Sequence, residues 1–260
     1  MQGSVGYNLI FASAVCVVCA VFVSSSAVAL KERQDYNANL DKQRNVLVVS
    51  GLAEEDERLS SDEVERRFAN IRQFVIDLET GQEAPDVDPL TFDQRRASVD
   101  SSTSRAVPRN AAQIVRLPDH ALVYEVRDAQ AQVRLHVLPV EGKGLWSTLY
   151  GFIALDASLE TVQGLTFYDH RETPGLGGEV DNPRWKALWP GRRPFDDAFQ
   201  PDITVIKGRA GSPDDDPHRV DGLSGATITS RGVTNLIRFW LGDDGFGPYL
   251  DRLRQEGTTG

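Results

Sequence analysis

Asp221-Gly222-Leu223-Ser224-Gly225-Ala226-Thr227, followed by Ile228-Thr229-Ser230, is the stretch from which the rest of the chain is read. Small residues crowd a turn, hydroxyls follow, and apolar residues then recur at Val233, Leu236, Ile237 and Trp240. That i, i+3, i+4, i+7 spacing is one buried face of a helix, so Thr227 is predicted to sit at or near a helix N-terminus. The free N–H groups and positive dipole end of a helix suit a phosphate. A hydroxyl there has three uses: it is solvated, it caps the helix after a glycine turn, or it carries a phosphate ester. Gly222-Leu223-Ser224-Gly225 begins like a nucleophile elbow, but Ala226 stands where G-x-S-x-G needs its last glycine.

Upstream of this turn the pattern is that of strands. Leu122 to Val126, Val133 to Val137, Leu149 to Leu155 and Val162 to Tyr168 are short apolar or alternating runs. The period of two puts His136 opposite Val133 and Val137, as a solvated or sheet-face histidine rather than a ligand. Gly142-Lys143-Gly144-Leu145-Trp146-Ser147 separates two of the strands. It reads either as a hairpin turn with a core Trp or as a glycine loop offering Trp146 as a flat surface to a ring. Asp169-His170-Arg171-Glu172-Thr173-Pro174-Gly175-Leu176-Gly177-Gly178-Glu179 is a backbone-exposing loop whose N–H groups suit the hydrogen-bonding edge of a planar ring. Its acidic and imidazole side chains lack a fixed common direction, so a metal is not the favoured reading. Asn182-Pro183-Arg184-Trp185 starts a short helix with Pro in the first turn. Ile203 to Lys207 reads as a strand ending in a basic residue. No G-x-G-x-x-G dinucleotide fingerprint is present.

At the other end, Leu9 to Leu30 is an uncharged run of 22 residues. As a helix rising about 1.5 Å per residue it would reach roughly 33 Å, enough for a bilayer core of about 30 Å. Ala27-Val28-Ala29 offers a signal-peptidase pattern as the rival reading, but residues 1 to 6 hold no Lys or Arg and the run is long for a signal. A retained membrane anchor is the expectation. Lys31, Arg33, Lys42 and Arg44 follow the span, which on charge alone places the large domain in the cytoplasm. Cys16 and Cys19 lie within the span and are read as small apolar filler. Residues 31–44 are dense in charge and suggest a helix; Ser60 and Glu63 form a capping box before Val64, Phe68, Ile71 and Val75, spaced as an amphipathic helix. Residues 80–118 read as irregular connection. The net charge of −10 over 260 residues, without a Lys/Arg cluster, argues against a nucleic-acid partner.

Asp-Gly-x-Ser-Gly-Ala-Thr resembles the flavinylation motif of the FMN-binding domain family, in which a flavin transferase joins FMN through its phosphate to the last Thr. The resemblance extends over nearly the whole chain. The span, the Leu40-Asp41-Lys42-Gln43 region, Gly-Lys-Gly-Leu-Trp, Tyr-Asp-His before Glu-Thr-Pro-Gly-Leu-Gly, and Asn182-Pro183 occur in one order. That order is similar to the C subunits of sodium-translocating NADH:quinone oxidoreductases, with the G subunits of Rnf complexes as the next resemblance. It implies a single-pass subunit of a bacterial inner membrane, its soluble domain periplasmic, against the charge rule. It further implies a covalent FMN relaying electrons from NADH toward ubiquinone among other subunits of a membrane redox complex that moves sodium. The fold implied is α+β, a mixed or antiparallel sheet with packed helices, divided as tail 1–8, span 9–30, connecting region 31–118 packed on the main domain, and FMN-binding domain 119–260. Residue by residue, Thr227 comes across as the phosphodiester acceptor, with Ser224, Gly225 and Ala226 as its turn. Leu145, Trp146, Glu172, Thr173, Leu176 and Gly177 come across as loops lining the isoalloxazine, and Lys207 stands as a further candidate, a cation that is solvated or, near the flavin, favours its reduced anionic form. A tethered FMN-domain binding module and a membrane-anchored flavoenzyme with its own substrate remain the alternatives.

Overall fold

The computed structural model describes residues 5–257, so the first four residues of the expected tail and the last three of the chain lie outside it. Two compact units emerge, Met1–Lys42 and Gln43–Gly260. Helix α1 is Val5–Val49. From Val5 to Asn39 it is exposed and carries Leu9, Ile10, Phe11 and Phe22 on its surface, long and apolar enough to cross a membrane. A helix apolar on all sides asks for lipid rather than water around it. Cys16 and Cys19 are exposed on this apolar surface.

The second unit starts with the last residues of α1, where Val46, Leu47 and Val49 are buried. Gly164 makes room for them: a Cβ there would stand 2.6 Å from the Val49 carbonyl oxygen. Helix α2, Ser61–Phe68, is capped by Ser60, whose hydroxyl accepts from the Glu63 N–H. The amphipathic helix expected through Val75 ends at Phe68. Strand β1, Ile71–Asp77, follows, and its β-branched residues pair antiparallel with a later strand from Ile71 opposite Val126 to Asp77 opposite His120. The spacing of Val64, Phe68, Ile71 and Val75 fits a helix, but the ladder satisfies more backbone than an extra helical turn would. Residues 80–118 are also more ordered than expected. They hold α3, Gln94–Val99, capped by Asp93, and a small antiparallel pair, β2 (Ser104–Ala106) with β3 (Arg116–Pro118).

Strands β4 (His120–Arg127), β5 (Val133–Lys143), β6 (Thr148–Asp156) and β7 (Val162–Asp169) complete a five-stranded antiparallel sheet of order β1-β4-β5-β6-β7. A 3-10 turn at Gly177–Asp181 leads to α4, Pro183–Lys186, with Asn182 as its cap. A short parallel pair, β8 (Thr204–Val205) with β9 (Arg219–Val220), precedes α5, Thr227–Leu241, and α6, Gly247–Gly257. The α+β class and the antiparallel sheet agree with expectation.

The core lies between the sheet and α5. Val233, Leu236, Ile237 and Trp240, the residues whose spacing announced that helix, are all fully buried. Two glycines let α5 close on β5: a Cβ on Gly142 would stand 2.5 Å from the Leu236 Cβ, and one on Gly232 would stand 2.4 Å from the Lys143 carbonyl oxygen. His136 is buried rather than solvated, its Nδ1 3.0 Å from the Tyr249 hydroxyl of α6. Gly232→Ala gives a direct check. In a free helix the change gains up to about 1 kcal/mol; here the added methyl meets a backbone oxygen, and urea unfolding is expected to show a loss of about 1–3 kcal/mol.

Candidate functional site

The turn before α5 is built by close backbone approach. Gly225 has φ +70°, and a Cβ on Gly222 would stand 2.1 Å from the Ile206 carbonyl oxygen. The Gly222 N–H donates to the Gly208 carbonyl at 2.8 Å, and Trp185 Nε1 donates to the Asp221 carbonyl at 2.9 Å. Ala226 is buried and occupies the cap position, and no side chain caps the helix among the described residues. The nearby hydroxyls divide by burial. Ser230 accepts from the Leu223 N–H at 3.0 Å, and Thr229 donates to Glu172 at 2.6 Å, both inside the protein. Thr227 and Ser224 are exposed. Thr227 is therefore the first residue of the helix and not its cap.

On one side Thr227 opens onto a cavity of about 730 Å3, which Ser224 and Gly225 also line. Lys207, Arg209 and Arg231, all exposed, stand around it, with Asp221 as the acidic member of the lining. Three cations beside an uncapped helix N-terminus make an anion-holding environment. Sequence reasoning missed Arg209 and Arg231. Arg231 was findable, since it lies four residues after Thr227 on the same helix face; Arg209 carries no such signal.

On the other side stand two loops locked together by Glu172. This side chain is buried, and a single oxygen accepts from the Trp146 and Ser147 N–H groups at 2.9 and 3.4 Å while the other accepts from Thr229. Gly144 and Gly177 give it room, since a Cβ on either would stand 2.6 Å from one of its oxygens. Burial pushes its carboxyl up, but these hydrogen bonds outweigh burial and hold its pKa below the ordinary value. Trp146 Nε1 donates to the Thr173 hydroxyl at 3.1 Å, and Leu176 reaches the turn at Gly225, where a Cβ would stand 2.9 Å from its Cδ2. Leu145, Trp146 and Leu176 present apolar surface to solvent, Trp146 with 66% of its area exposed, and Ile228 at the start of α5 is likewise exposed. The loop is thus a hairpin turn, but its Trp is outside the core. Glu172 has its oxygens occupied by protein and positions the loops.

Glu172→Ala leaves two N–H groups and a hydroxyl without their acceptor. A loss of about 1–3 kcal/mol in chemical unfolding is expected. The linkage sign follows from the lowered pKa: the contribution is present above the ordinary carboxylate value near 4.5 and disappears as pH falls through the lower folded value. The acid limb of the wild type's stability profile should accordingly be steeper than that of the variant.

The other polar side chains of the β7 loop diverge. Asp169 pairs with Arg95 at 2.9 Å, His170 with Asp181 at 2.7 Å, and Glu179 accepts from Asn182. Among the described residues no group of three or more His, Cys, Asp or Glu is arranged to hold a metal.

Comparison with known proteins adds to this geometry. The FMN-binding domain family matches residues 144–242, from the β5–β6 turn through α5. The C subunit of the Na(+)-translocating NADH-quinone reductase of Yersinia pestis is 46% identical over 255 residues, covering 97% of this chain and 94% of that protein. Its namesake from Pseudomonas aeruginosa is 46% identical over 263 residues, covering 98% of each. Among solved structures, NqrC of Shewanella oneidensis superposes with a TM-score of 0.76 at 34% identity, over 84% of this chain and 99% of that one.

Proposed function

We propose, from the premise that this chain belongs to the family of Na(+)-translocating NADH-quinone reductase C subunits, that it is the membrane-anchored electron relay of such a complex and holds FMN through Thr227. The observation that carries the proposal is the exposed Thr227 hydroxyl at the uncapped start of α5, between a cationic cavity and an apolar rim. The residues present fit the group. Lys207, Arg209, Arg231 and the helix N-terminus balance a phosphodiester on Thr227. Ser224, Gly225 and Ala226 form the turn that keeps side chains away from it. Leu145, Trp146 and Leu176, with Ile228, give the isoalloxazine an apolar bed, and Thr173, Gly177 and Glu172 hold that bed in place. Bound there, FMN supplies reversible electron uptake.

A bed that is exposed at Trp146 leaves the ring edge accessible to another subunit, as a relay requires. The chain takes its NADH-derived electrons from such a neighbour and passes them on toward quinone. The apolar part of α1 anchors it in a bacterial inner membrane, and a flavin transferase forms the ester during maturation. A covalent link suits a periplasmic domain, where no pool of free FMN replaces a lost one. Production of the full chain with the transferase tests the reading. FMN fluorescence is expected to migrate with the polypeptide on a denaturing gel, and the peptide bearing Thr227 to carry the added mass. Flavin released on denaturation would overturn covalency.

A further inference from the structure

A second, smaller hollow of about 150 Å3 lies at the turn end of the β5–β6 hairpin, lined by Glu141, Lys143, Thr148 and Tyr150 together with Gln113 and Arg116. It sits beside the turn that carries Leu145 and Trp146: Lys143 Nζ, part of its wall, is 3.5 Å from the Trp146 carbonyl oxygen. Glu141 faces Tyr150 across the ladder, and its carbonyl accepts from Trp240 Nε1 at 2.7 Å. The backbone at this position is fixed, while the carboxyl has no hydrogen bond or ion pair among the described residues.

Charged and titratable groups surround it from every packed element, yet each is engaged elsewhere. Arg95 of α3 stacks over the Tyr150 ring at 3.5 Å and pairs with Asp169 of β7. Arg116 of β3 donates to Ser104, and Tyr168 of β7 lies in the ring row with Tyr150 and Phe152. Buried Glu125, by contrast, has both Arg72 and Arg127, and Glu172 has its three donors. Burial pushes the Glu141 carboxyl up to about 7, against the attraction of Arg95. A carboxyl that is poised near neutrality, lacks a partner and opens to a polar hollow is able to exchange a proton with solvent.

We propose that Glu141 is a redox-linked proton site: when the flavin on the adjoining loops receives one electron from the upstream carrier of the complex, Glu141 takes one proton from solvent, and it releases that proton when the electron leaves. The added negative charge is thereby offset by a proton held on the β5–β6 hairpin. The inference rests on the reading of Thr227 as the flavin site. The sign is fixed by electrostatics: an electron nearby raises the affinity of the carboxylate for a proton, so the reduced state binds more protons.

The test uses the full-length, flavin-loaded chain in detergent, with spectroelectrochemical titration across a window centred on about pH 7. The wild-type potential is expected to fall as pH rises through that window. Glu141→Gln, neutral at every pH, is expected to lose that component and to lie at a more positive potential than wild type on the alkaline side. Infrared difference spectra of the wild type, recorded on reduction, are expected to gain a protonated-carboxyl band that Glu141→Gln lacks. Equal pH slopes in both proteins, or a wild-type difference spectrum without a carboxyl signal, would overturn the inference and leave the flavin assignment standing. A wild-type chain that carries no flavin at all would remove both, and infrared titration of the flavin-free chain would still report whether Glu141 titrates near 7.

Discussion

Thr227→Ala is expected to yield a folded, membrane-anchored chain with no flavin that survives denaturation. Thr227 is exposed and does not cap α5, so its side chain contributes little to packing. Surface changes of this kind usually fall within about 0.5 kcal/mol, and Ala is the best helix former. The chemical effect is all or none, because the methyl that remains has no oxygen to esterify. Thr227→Ser keeps the hydroxyl at the same helix position and is expected to recover attachment, which separates loss of the acceptor from disturbance of the turn. Urea midpoints of the two variants should coincide with wild type in their flavin-free forms. Flavin fluorescence on a denaturing gel reads the difference. Undiminished fluorescence in Thr227→Ala would place the ester on another hydroxyl.

Trp240→Ala is the variant with the largest expected loss of stability. The indole is fully buried between α5 and the sheet, with ring centroids 5.5 Å from Phe246 and 6.0 Å from Phe239. Its N–H donates to the Glu141 carbonyl at 2.7 Å. Truncation removes the apolar contact, leaves a cavity and strands that carbonyl, for a total of about 3–5 kcal/mol. Against a stability of about 5–15 kcal/mol for a domain, that is a third or more of the reserve in most cases. Chemical unfolding measures it, and a loss under about 1 kcal/mol would show that α5 is held chiefly by other contacts.

How far the chain could be read in advance follows from the range of each signal. Periodicities inside one element carried their helix or strand, as with Val233 to Trp240 and the runs that became β4 to β7. The capping of α2 by Ser60 and of α4 by Asn182 was legible for the same reason, since both ends of each interaction lie within a few residues. Where a distant partner decides, local spacing misled. Ile71 and Val75 match a helix face, and only the ladder with β4 makes them a strand. For His136 the solvated and sheet-face readings could not be separated locally, because Tyr249, which covers it, is far away in sequence. The site shows the same division. The position of Thr227 at a helix start is local, whereas Arg209 reaches the cavity through the approach of Ile206 and Gly208 to Gly222. Such approaches are set by tertiary packing and leave no mark in the spacing of residues.

The lock at Glu172 bears on the order of events in maturation. Its donors come from the β5–β6 turn and from α5, segments separated by most of the FMN-binding region, and they meet only once the sheet and helix are assembled. The receiving surface therefore exists before any flavin arrives, and an unfolded or misassembled chain lacks it. On the proposed attachment at Thr227, loading of the cofactor would act as a checkpoint: a flavinylated chain would certify its own folding history, and yellow colour in a membrane preparation would count the molecules that passed.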